Sequence, residues 1–221
     1  MRDFVIVASR PVSLQMLRYV PKEAFILAAD AGWQNAKAIG LSPHLVLGDF
    51  DSSQKPDLNC ETIVLPAEKN DTDTHFAAKV ALERGASSVT ILGGLGGRVD
   101  HMLSNLQTLH FLAQNGVRNL LADENTQIRC MVPGMLELEP VDGVYLSVFP
   151  FNGTAKGVTL EGLKYPLNRY TLTASESTGT SNEFTKETAR IILEEGSLMV
   201  VLSKKDSNPG VYASPLQSEK E

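Results

Sequence analysis

The stretch that decides the fold is VTILGGLGGRVDHMLSNLQTLHFLAQNG, residues 89–116. The apolar run at 89–92 predicts a buried strand, and the glycine-rich turn GGLGG follows it directly. Residues 100–114 then place Leu106, Leu109 and Ala113 on one helical face, and Gly116 is a typical helix stop. A strand, a glycine-rich turn and an amphipathic helix in this order indicate a parallel sheet with helices packed on its faces.

The same alternation continues on both sides of this stretch. Apolar runs at residues 4–8, 25–29, 45–47, 63–65 and 119–122 predict further strands, and residues 13–20, 33–39 and 72–84 favour helices. Beyond residue 125 the segments are short and bounded by turns, without a helical period, which is typical of an all-β domain. We therefore expect an α/β domain with a mostly parallel sheet at residues 1–125 and a β-sandwich domain at residues 126–221.

Composition excludes several classes of protein. The chain has 221 residues, of which 43% are hydrophobic and 21% charged, with a net charge of −6. These are ordinary values for a globular protein, and a nucleic-acid surface would need a basic excess. No apolar run approaches the length of a membrane span. Two isolated cysteines, Cys60 and Cys130, and an N-terminus without signal-peptide character predict a reduced, cytoplasmic setting.

Acidic residues and glycines follow nearly every predicted strand. Asp30 follows the second strand, Asp49 and Asp51 follow the third, and Asp71 and Asp73 come after the fourth. Ligands of open parallel sheets bind beyond the carboxyl ends of the strands. Carboxylates crowded at one edge repel each other unless a cation screens them, and Mg²⁺ is usually held by one or two carboxylates plus substrate phosphates. The pattern predicts a metal-bound polyphosphate at this edge.

Two acidic pairs carry this prediction, and each has a simpler alternative. Asp49 and Asp51 point the same way on an extended segment and could share one metal ion, or they could only form a strand-end turn. Asp71 and Asp73 lie at the start of a helix, where one of them could serve as a cap. Lys69, just upstream, could reach a phosphate or simply be a solvated lysine.

The glycine-rich turn favours anion binding. It matches neither a Walker A loop nor a dinucleotide-binding fingerprint, but its backbone N–H groups can approach an anion at the start of a helix. Arg98 can add bidentate phosphate contacts. His101 lies next to this turn, and no histidine pair in the sequence has zinc-ligand spacing.

Two segments of the β domain predict a substrate surface. Residues 175–184 are dense in small hydroxyl and amide groups, which suit either a polar loop or a hydrogen-bonding wall for a small substrate. Residues 162–167 carry Tyr165 beside a turn.

Together these motifs resemble the thiamine pyrophosphokinase family. The resemblance rests on GDFDS at 48–52, KNDTD at 69–73, GGLGGRVDH at 93–101 with Asn105 one turn on, LKY at 163–165 and GTSNE at 179–183. It implies an N-terminal α/β domain, a C-terminal β-sandwich and a homodimer with composite active sites. It also implies transfer of a diphosphoryl group from ATP to the hydroxyl of thiamine, which gives thiamine diphosphate and AMP.

The resemblance further implies roles for individual residues. Mg²⁺ would be held by Asp49, Asp51 and Asp73. The other assignments group by role. Catalytic residues would be Asp71, Asp73, Arg98 and Asp100, with either Asp71 or Asp100 accepting the alcohol proton. ATP would contact Asp30, Lys69, Gly94, Gly96, Gly97, Arg98, His101 and Asn105. Thiamine would contact Tyr165, Thr180, Ser181 and Asn182, with Tyr165 stacked on the thiazolium.

Three other functions fit part of the pattern. A pterin diphosphokinase would also need an acidic, glycine-rich ATP site, but the segment at 179–183 favours thiamine. A non-catalytic nucleotide sensor would not need so many carboxylates. A glycosyltransferase with an Asp-x-Asp motif would hydrolyse sugar nucleotides.

Overall fold

A computed structural model describes residues 2–50, 59–66, 68 and 70–205. Two of the predicted site residues, Asp51 and Lys69, lie outside these described residues. The helices are α1 (Gly32–Ala38), α2 (Asp73–Glu83) and α3 (Val99–Gln114), and residues Leu14–Tyr19 form a short 3-10 helix. Of the described helices, none is long and apolar enough to cross a membrane.

The strands alternate with these helices in the first part of the chain and follow one another in the second. In chain order they are β1 (Arg2–Val7), β2 (Phe25–Ala29), β3 (Leu45–Gly48), β4 (Glu61–Val64), β5 (Ala86–Leu92), β6 (Arg118–Ala122), β7 (Thr126–Met131), β8 (Gly134–Leu138), β9 (Val144–Pro150), β10 (Ala155–Glu161), β11 (Leu167–Leu172), β12 (Asn182–Glu183), β13 (Ala189–Leu193) and β14 (Leu198–Lys204).

The strands form two sheets. One has ten strands in the order β12-β9-β14-β7-β6-β5-β1-β2-β3-β4, and the other has four in the order β11-β10-β13-β8. Strands β1 to β6 pair in parallel, whereas β7, β14, β9 and β12 continue the same sheet in antiparallel pairing. The predicted α/β and β-sandwich architecture is confirmed, and one sheet runs through both parts of the chain.

Three apolar clusters hold these layers together. Helices α2 and α3 cover one face of the parallel strands, where Leu109 and Leu112 of α3 are fully buried with Phe4 and Ile91 of the sheet. Helix α1 and the 3-10 helix cover the other face. The third cluster is the core of the sandwich, between the antiparallel strands β9 and β14 and the four-stranded sheet.

The first predicted helix is present as a 3-10 helix, and two strands differ from the sequence-based expectation. Strand β11 was not predicted because its residues are mostly exposed and polar, so the sequence lacks an alternating apolar pattern there. Strand β12 is only two residues long, too short to leave a periodic pattern.

Candidate active site

The ends of β2 and β3 bring two of the predicted acidic residues to one edge. The Asp30 N–H donates to the carbonyl of Leu47 at 2.8 Å. A methyl group added at Gly48 would stand 3.1 Å from the Asp30 Cα, so the two loops touch here. Asp30 and Asp49 therefore begin neighbouring loops at the carboxyl edge of the parallel strands, as the sequence predicted.

Backbone conformation is unusual at this edge. Asp30 has a φ of 49° and Phe50 a φ of 53°, both in the left-handed region. Aspartate adopts this conformation with modest cost, but phenylalanine does so rarely. Such residues persist only where surrounding structure enforces them, and they cluster at functional sites. Ser181, in the polar segment of the β domain, shares this property with a φ of 55°.

The glycine-rich turn connects β5 to α3 in a fixed conformation. Gly93, Gly96 and Gly97 have φ values of 70°, 76° and 72°. The Asn105 side chain donates to the Gly94 carbonyl at 2.8 Å, and a methyl group at Gly94 would stand 2.8 Å from the Leu121 side chain. Asn105 is buried, so in this structure its amide holds the turn in place.

Arg98 and Asp100 form an exposed bidentate ion pair at the start of α3. The Arg98 Nη2 lies 2.6 Å from Asp100 Oδ2, and Nε lies 3.1 Å from Oδ1. Oδ1 also accepts the His101 N–H at 2.9 Å. Chiefly because of the hydrogen bond from Arg98, the pKa of Asp100 is lowered to about 2. The Asp100 carboxylate stays ionised at neutral pH and is a weak proton acceptor as long as this pair persists.

The start of α2 places Asp71 and Asp73 beside α3. Thr72 is the N-cap, with its hydroxyl accepting the His75 N–H at 3.3 Å and lying 3.3 Å from the Ser104 hydroxyl of α3. Asp73 is the first residue of the helix, where a negative charge is favourable. The Asp71 carboxylate accepts a 2.6 Å hydrogen bond from Lys79, a contact that the sequence analysis did not anticipate.

The predicted substrate residues of the β domain form a second group. The Asn182 Oδ1 accepts the Tyr165 N–H at 2.9 Å, and its Nδ2 donates to the Tyr165 carbonyl at 2.7 Å. Tyr165 itself is 57% exposed, and Lys164 Nζ lies 5.3 Å from the centre of its ring. Thr180 and Ser181 are exposed next to Asn182. The buried asparagine thus fixes the main chain of an exposed aromatic residue.

Glu183 connects this group to two lysines. Its carboxylate accepts hydrogen bonds from Lys164 at 2.7 Å and from Lys205 at 2.5 Å. Because of these bonds, the one from Lys164 being the larger effect, the pKa of Glu183 is lowered to about 2. The Lys164 contact holds the turn that carries Tyr165 against the short strand β12, whereas the Lys205 contact joins β12 to the end of β14.

The two groups of predicted residues lie at the same edge of the ten-stranded sheet but far apart. One register row connects the end of β5 to β12 through the paired residues Leu92, Ala122, Gln127, Leu202, Leu146 and Asn182. This row crosses five strand spacings of about 4.8 Å, or roughly 24 Å along the sheet. Within one chain, the glycine-rich turn and Asn182 therefore do not meet.

The chemistry of the carboxyl edge suits a magnesium ion held partly by substrate. Among the residues that the structure describes, no three His, Cys, Asp or Glu side chains lie close enough together to hold a metal ion by themselves. Mg²⁺ commonly uses only one or two carboxylates and takes its other ligands from water and phosphates. Asp49 and Asp73 are the described residues predicted to contribute such carboxylates, and the predicted third one, Asp51, lies outside the described residues.

One strand end was missed in the sequence analysis. Strand β1 lies between β2 and β5 in the sheet, and Ser9 and Arg10 follow it. The Arg10 N–H donates to the Gly93 carbonyl at 3.0 Å, and the Ser9 hydroxyl donates to the Asp30 carboxylate at 3.4 Å. Applying the strand-end rule to the first strand as well as to the later ones would have found both residues.

Two family models match this chain in the same order as the two groups of residues. The model described as "Thiamin pyrophosphokinase, catalytic domain" matches residues 16–121, and the model described as "Thiamin pyrophosphokinase, vitamin B1 binding domain" matches residues 135–198. The chain belongs to the thiamin pyrophosphokinase family. The first model includes Asp30, Asp49 and the glycine-rich turn, and the second includes Tyr165 and Asn182.

Individual thiamin pyrophosphokinases are similar over most of their length. The thiamine pyrophosphokinase of Bacillus subtilis (strain 168) is 29% identical over 212 residues, which cover 92% of this chain and 99% of the relative. A crystal structure of the enzyme from Bacillus subtilis has a TM-score of 0.82 at 28% identity, covering 92% of this chain and 99% of that one. The structure from Geobacillus thermodenitrificans has a TM-score of 0.78 at 26% identity, covering 93% and 99%.

Proposed function

We propose that this protein transfers the diphosphoryl group of ATP to the hydroxyl of thiamine, giving thiamine diphosphate and AMP. The observation that carries the proposal is the carboxyl edge of the parallel strands. There the glycine-rich turn, held by Asn105, lies on the same sheet edge as the loops that begin with Asp30 and Asp49. Polyphosphate binding needs backbone N–H groups and a metal-binding carboxylate together, and this edge offers both.

The reaction requires the protein to position the substrates and to neutralise charge, more than to perform covalent chemistry. The thiamine hydroxyl oxygen forms a bond to the β-phosphorus, and the bond from that phosphorus to the oxygen bridging to the α-phosphate breaks, so that AMP leaves. When bound, Mg²⁺ neutralises phosphate charge, and Asp49, Asp51 and Asp73 are the residues that would hold it. Lys69, Gly94, Gly96, Gly97, Arg98, His101 and Asn105 complete the proposed ATP site together with Asp30.

The hydroxyl proton goes to a carboxylate, for which Asp71 and Asp100 are both candidates. In the structure each is paired, Asp71 with Lys79 and Asp100 with Arg98. If Arg98 turns to a phosphate group, Asp100 loses the contact that lowers its pKa and becomes a better base. The Asp71 carboxylate lies 2.6 Å from Lys79 Nζ, and this contact does not involve Arg98. The two assignments predict different inactive variants: Asp100→Asn if Asp100 accepts the proton, and Asp71→Asn if Asp71 does.

Thiamine binds, in this proposal, to the β domain of a partner subunit. The register row from Leu92 to Asn182 supports this, because roughly 24 Å along the sheet is more than one small alcohol spans. A homodimer that brings the β domain of one chain to the α/β domain of the other removes the gap. Tyr165, Thr180, Ser181 and Asn182 would then face the glycine-rich turn of the partner.

The reaction is tested by measuring AMP release from Mg²⁺-ATP with and without thiamine. Thiamine-dependent AMP, with thiamine diphosphate as the second product, is the expected result. AMP release that depends on a pterin alcohol instead of thiamine would keep the chemistry and change the acceptor. ATP binding without AMP formation under either condition would identify a nucleotide sensor and overturn the proposal.

The composite site is tested by mixing two impaired variants. Asp73→Asn damages the nucleotide part, and Tyr165→Ala, assayed at low thiamine concentration, damages the acceptor part. In a dimer with composite sites, the mixed dimer contains one site with both wild-type parts, so mixing equal amounts restores about a quarter of the wild-type rate. Sites built within one chain would give no recovery, and a monomer in light scattering would also exclude the composite site.

We place the enzyme in the cytoplasm. Both Cys60 and Cys130 are free thiols. Burial raises the pKa of Cys130 to about 12, so this thiol is inert at neutral pH. Thiols that form no disulfide fit a reducing compartment. Fractionation of the native host cells with compartment markers tests this placement, and recovery outside the cytoplasmic fraction would contradict it.

A further inference from the structure

Arg10 occupies the central position at the carboxyl edge. Its strand, β1, pairs with β2 on one side and β5 on the other, so the loop after β1 lies between the Asp30 loop and the glycine-rich turn. Ligands of parallel sheets bind above such central strand ends. No role was assigned to this arginine by the motifs that identify the family.

The main chain of Arg10 is fixed from both sides. Its N–H donates to the Gly93 carbonyl at 3.0 Å, and its carbonyl accepts the Asn35 side chain of α1 at 2.8 Å. The same Asn35 amide donates to the Ala8 carbonyl at 2.8 Å. A methyl group at Gly93 would stand only 2.5 Å from the Arg10 carbonyl, so the turn and the arginine are packed backbone to backbone.

The guanidinium of Arg10 lies over the glycine-rich turn. A methyl group at Gly97 would stand 2.8 Å from its Nε and 2.9 Å from its Cζ, whereas one at Gly96 would meet nothing within 4 Å. The side chain is exposed, and within the described part of the chain it makes no ion pair. Lys79 of α2 and Arg98 of the glycine-rich turn, by contrast, are each paired with an aspartate at 2.6 Å.

We propose that Arg10 binds the phosphate chain of the nucleotide above the glycine-rich turn. The inference deepens the proposed function and rests on it. A guanidinium presents several N–H donors that match phosphate oxygens, and an unpaired one loses no protein partner on binding. Backbone N–H groups of the turn and the Arg10 side chain then hold the phosphates together, which favours polyphosphates over uncharged nucleosides.

The test measures binding by calorimetry with three probes: Mg²⁺-ATP, inorganic triphosphate with Mg²⁺, and adenosine. The variants are Arg10→Gln, Arg10→Lys and the control Arg118→Gln. Arg118 begins β6 at the opposite edge of the sheet and is exposed, so its replacement removes the same charge away from the site. Thermal unfolding of each variant verifies that it is folded.

For Arg10→Gln, we expect the Kd for ATP and for triphosphate to rise about tenfold to a hundredfold, because a hydrogen bond to a charged group is lost. The Kd of Arg10→Lys should lie between those of wild type and Arg10→Gln. The Kd of Arg118→Gln should stay within about twofold of wild type because remote exposed charges are screened. The KM for ATP should rise with the Kd, while the KM for thiamine stays near wild type.

Two results would overturn the inference, and they differ from each other. Wild-type protein that forms AMP and binds ATP, together with an Arg10→Gln variant of unchanged Kd, would remove Arg10 from the site and leave the proposed function intact. Wild-type protein that binds neither ATP nor triphosphate would overturn the proposed function and the inference together.

Discussion

The side-chain amide of Asn182 binds the main chain of Tyr165 twice, through its oxygen at 2.9 Å and its nitrogen at 2.7 Å. Its oxygen also accepts the N–H of Glu183 at 2.9 Å. Asn182 is only 2% exposed, whereas the tyrosine it holds is 57% exposed. A buried polar residue that is fully bonded sets a neighbouring loop in one conformation. In the proposed thiamine site, Asn182 therefore acts by presenting Tyr165.

Replacing Asn182 with alanine should raise the KM for thiamine. Loss of the two bonds to Tyr165 leaves its main chain unheld and lowers the free energy of unfolding by about 1–3 kcal/mol. Steady-state kinetics with each substrate varied in turn, and urea unfolding, measure both effects. Asn182→Asp keeps the acceptor oxygen but replaces the donor to the Tyr165 carbonyl with a buried carboxylate oxygen, so it should be impaired as well. An unchanged KM for thiamine in Asn182→Ala would contradict this role.

Tyr165→Ala should raise the KM for thiamine more than the KM for ATP. The exposed ring can stack on the cationic thiazolium, a contact of about 0.5–2 kcal/mol, which corresponds to roughly a two- to thirtyfold change. Tyr165→Phe keeps the ring and serves as the matched control, with a KM for thiamine close to wild type. Equal effects of both variants would point to the hydroxyl and away from stacking.

Asp73→Asn should abolish turnover and leave the fold intact. Asp73 begins α2, so loss of its charge near the helix N-terminus costs about 0.3–1 kcal/mol of stability. Asp3→Asn, near the start of β1 at the opposite edge of the sheet, makes the same chemical change away from the carboxyl edge. AMP release and thermal unfolding are measured for both variants. Near-normal activity of Asp73→Asn with Mg²⁺ would remove it from the metal site.

Gly97→Ala should weaken ATP binding more than Gly96→Ala. Both glycines have positive φ values, so alanine introduces comparable backbone strain at each. Only the methyl group at Gly97 would collide with the Arg10 guanidinium. Calorimetric titration with Mg²⁺-ATP compares the two variants directly, with thermal unfolding as the measure of strain. Equal losses of affinity would mean that Arg10 plays no part in the difference.

Stability should fall as the pH drops below about 6.5. Burial lowers the pKa of His110, whose Nε2 lies 2.9 Å from the Ser197 hydroxyl between α3 and the turn before β14. A lowered pKa means that the unfolded state binds the proton more readily, so acid favours unfolding. Urea unfolding at pH 7.5 and 5.5 should show the loss, and His110→Gln should show a smaller one. An unchanged pH dependence in His110→Gln would assign the effect to other groups.

Much of the fold was predictable because local patterns and global packing agree. The run at residues 89–92, the turn after it and the helical stripe through Leu109 and Ala113 all appear as β5, the glycine-rich turn and α3. Each pattern reflects a burial requirement that a single element must satisfy. Strand β11 escaped prediction because its exposed position imposes no such requirement. The division into domains at residue 125 stays a prediction, although β6 and β7 pair directly across it.

For the candidate site, the sequence indicated residue types but not their partners. The rule that ligands bind at strand ends found Asp30, Asp49 and the glycine-rich turn. It could not show that Arg98 binds Asp100 or that Lys79 binds Asp71, because both contacts depend on side-chain directions at helix starts. Nor could it show that the side-chain amides of Asn105 and Asn182 donate hydrogen bonds to the main-chain carbonyls of Gly94 and Tyr165. Their assigned contacts with ATP and thiamine stay predictions.

The sequence by itself determined the order of elements, the family and the kinds of chemistry, because apolar periodicity and the acidic and glycine motifs are local properties of the chain. Only the tertiary structure decided that one ten-stranded sheet joins both parts of the chain and separates Leu92 from Asn182 by five strand spacings. It also decided that Arg10 lies against Gly97. Pairing between distant strands is set by packing over the whole sheet, which no single stretch of sequence contains.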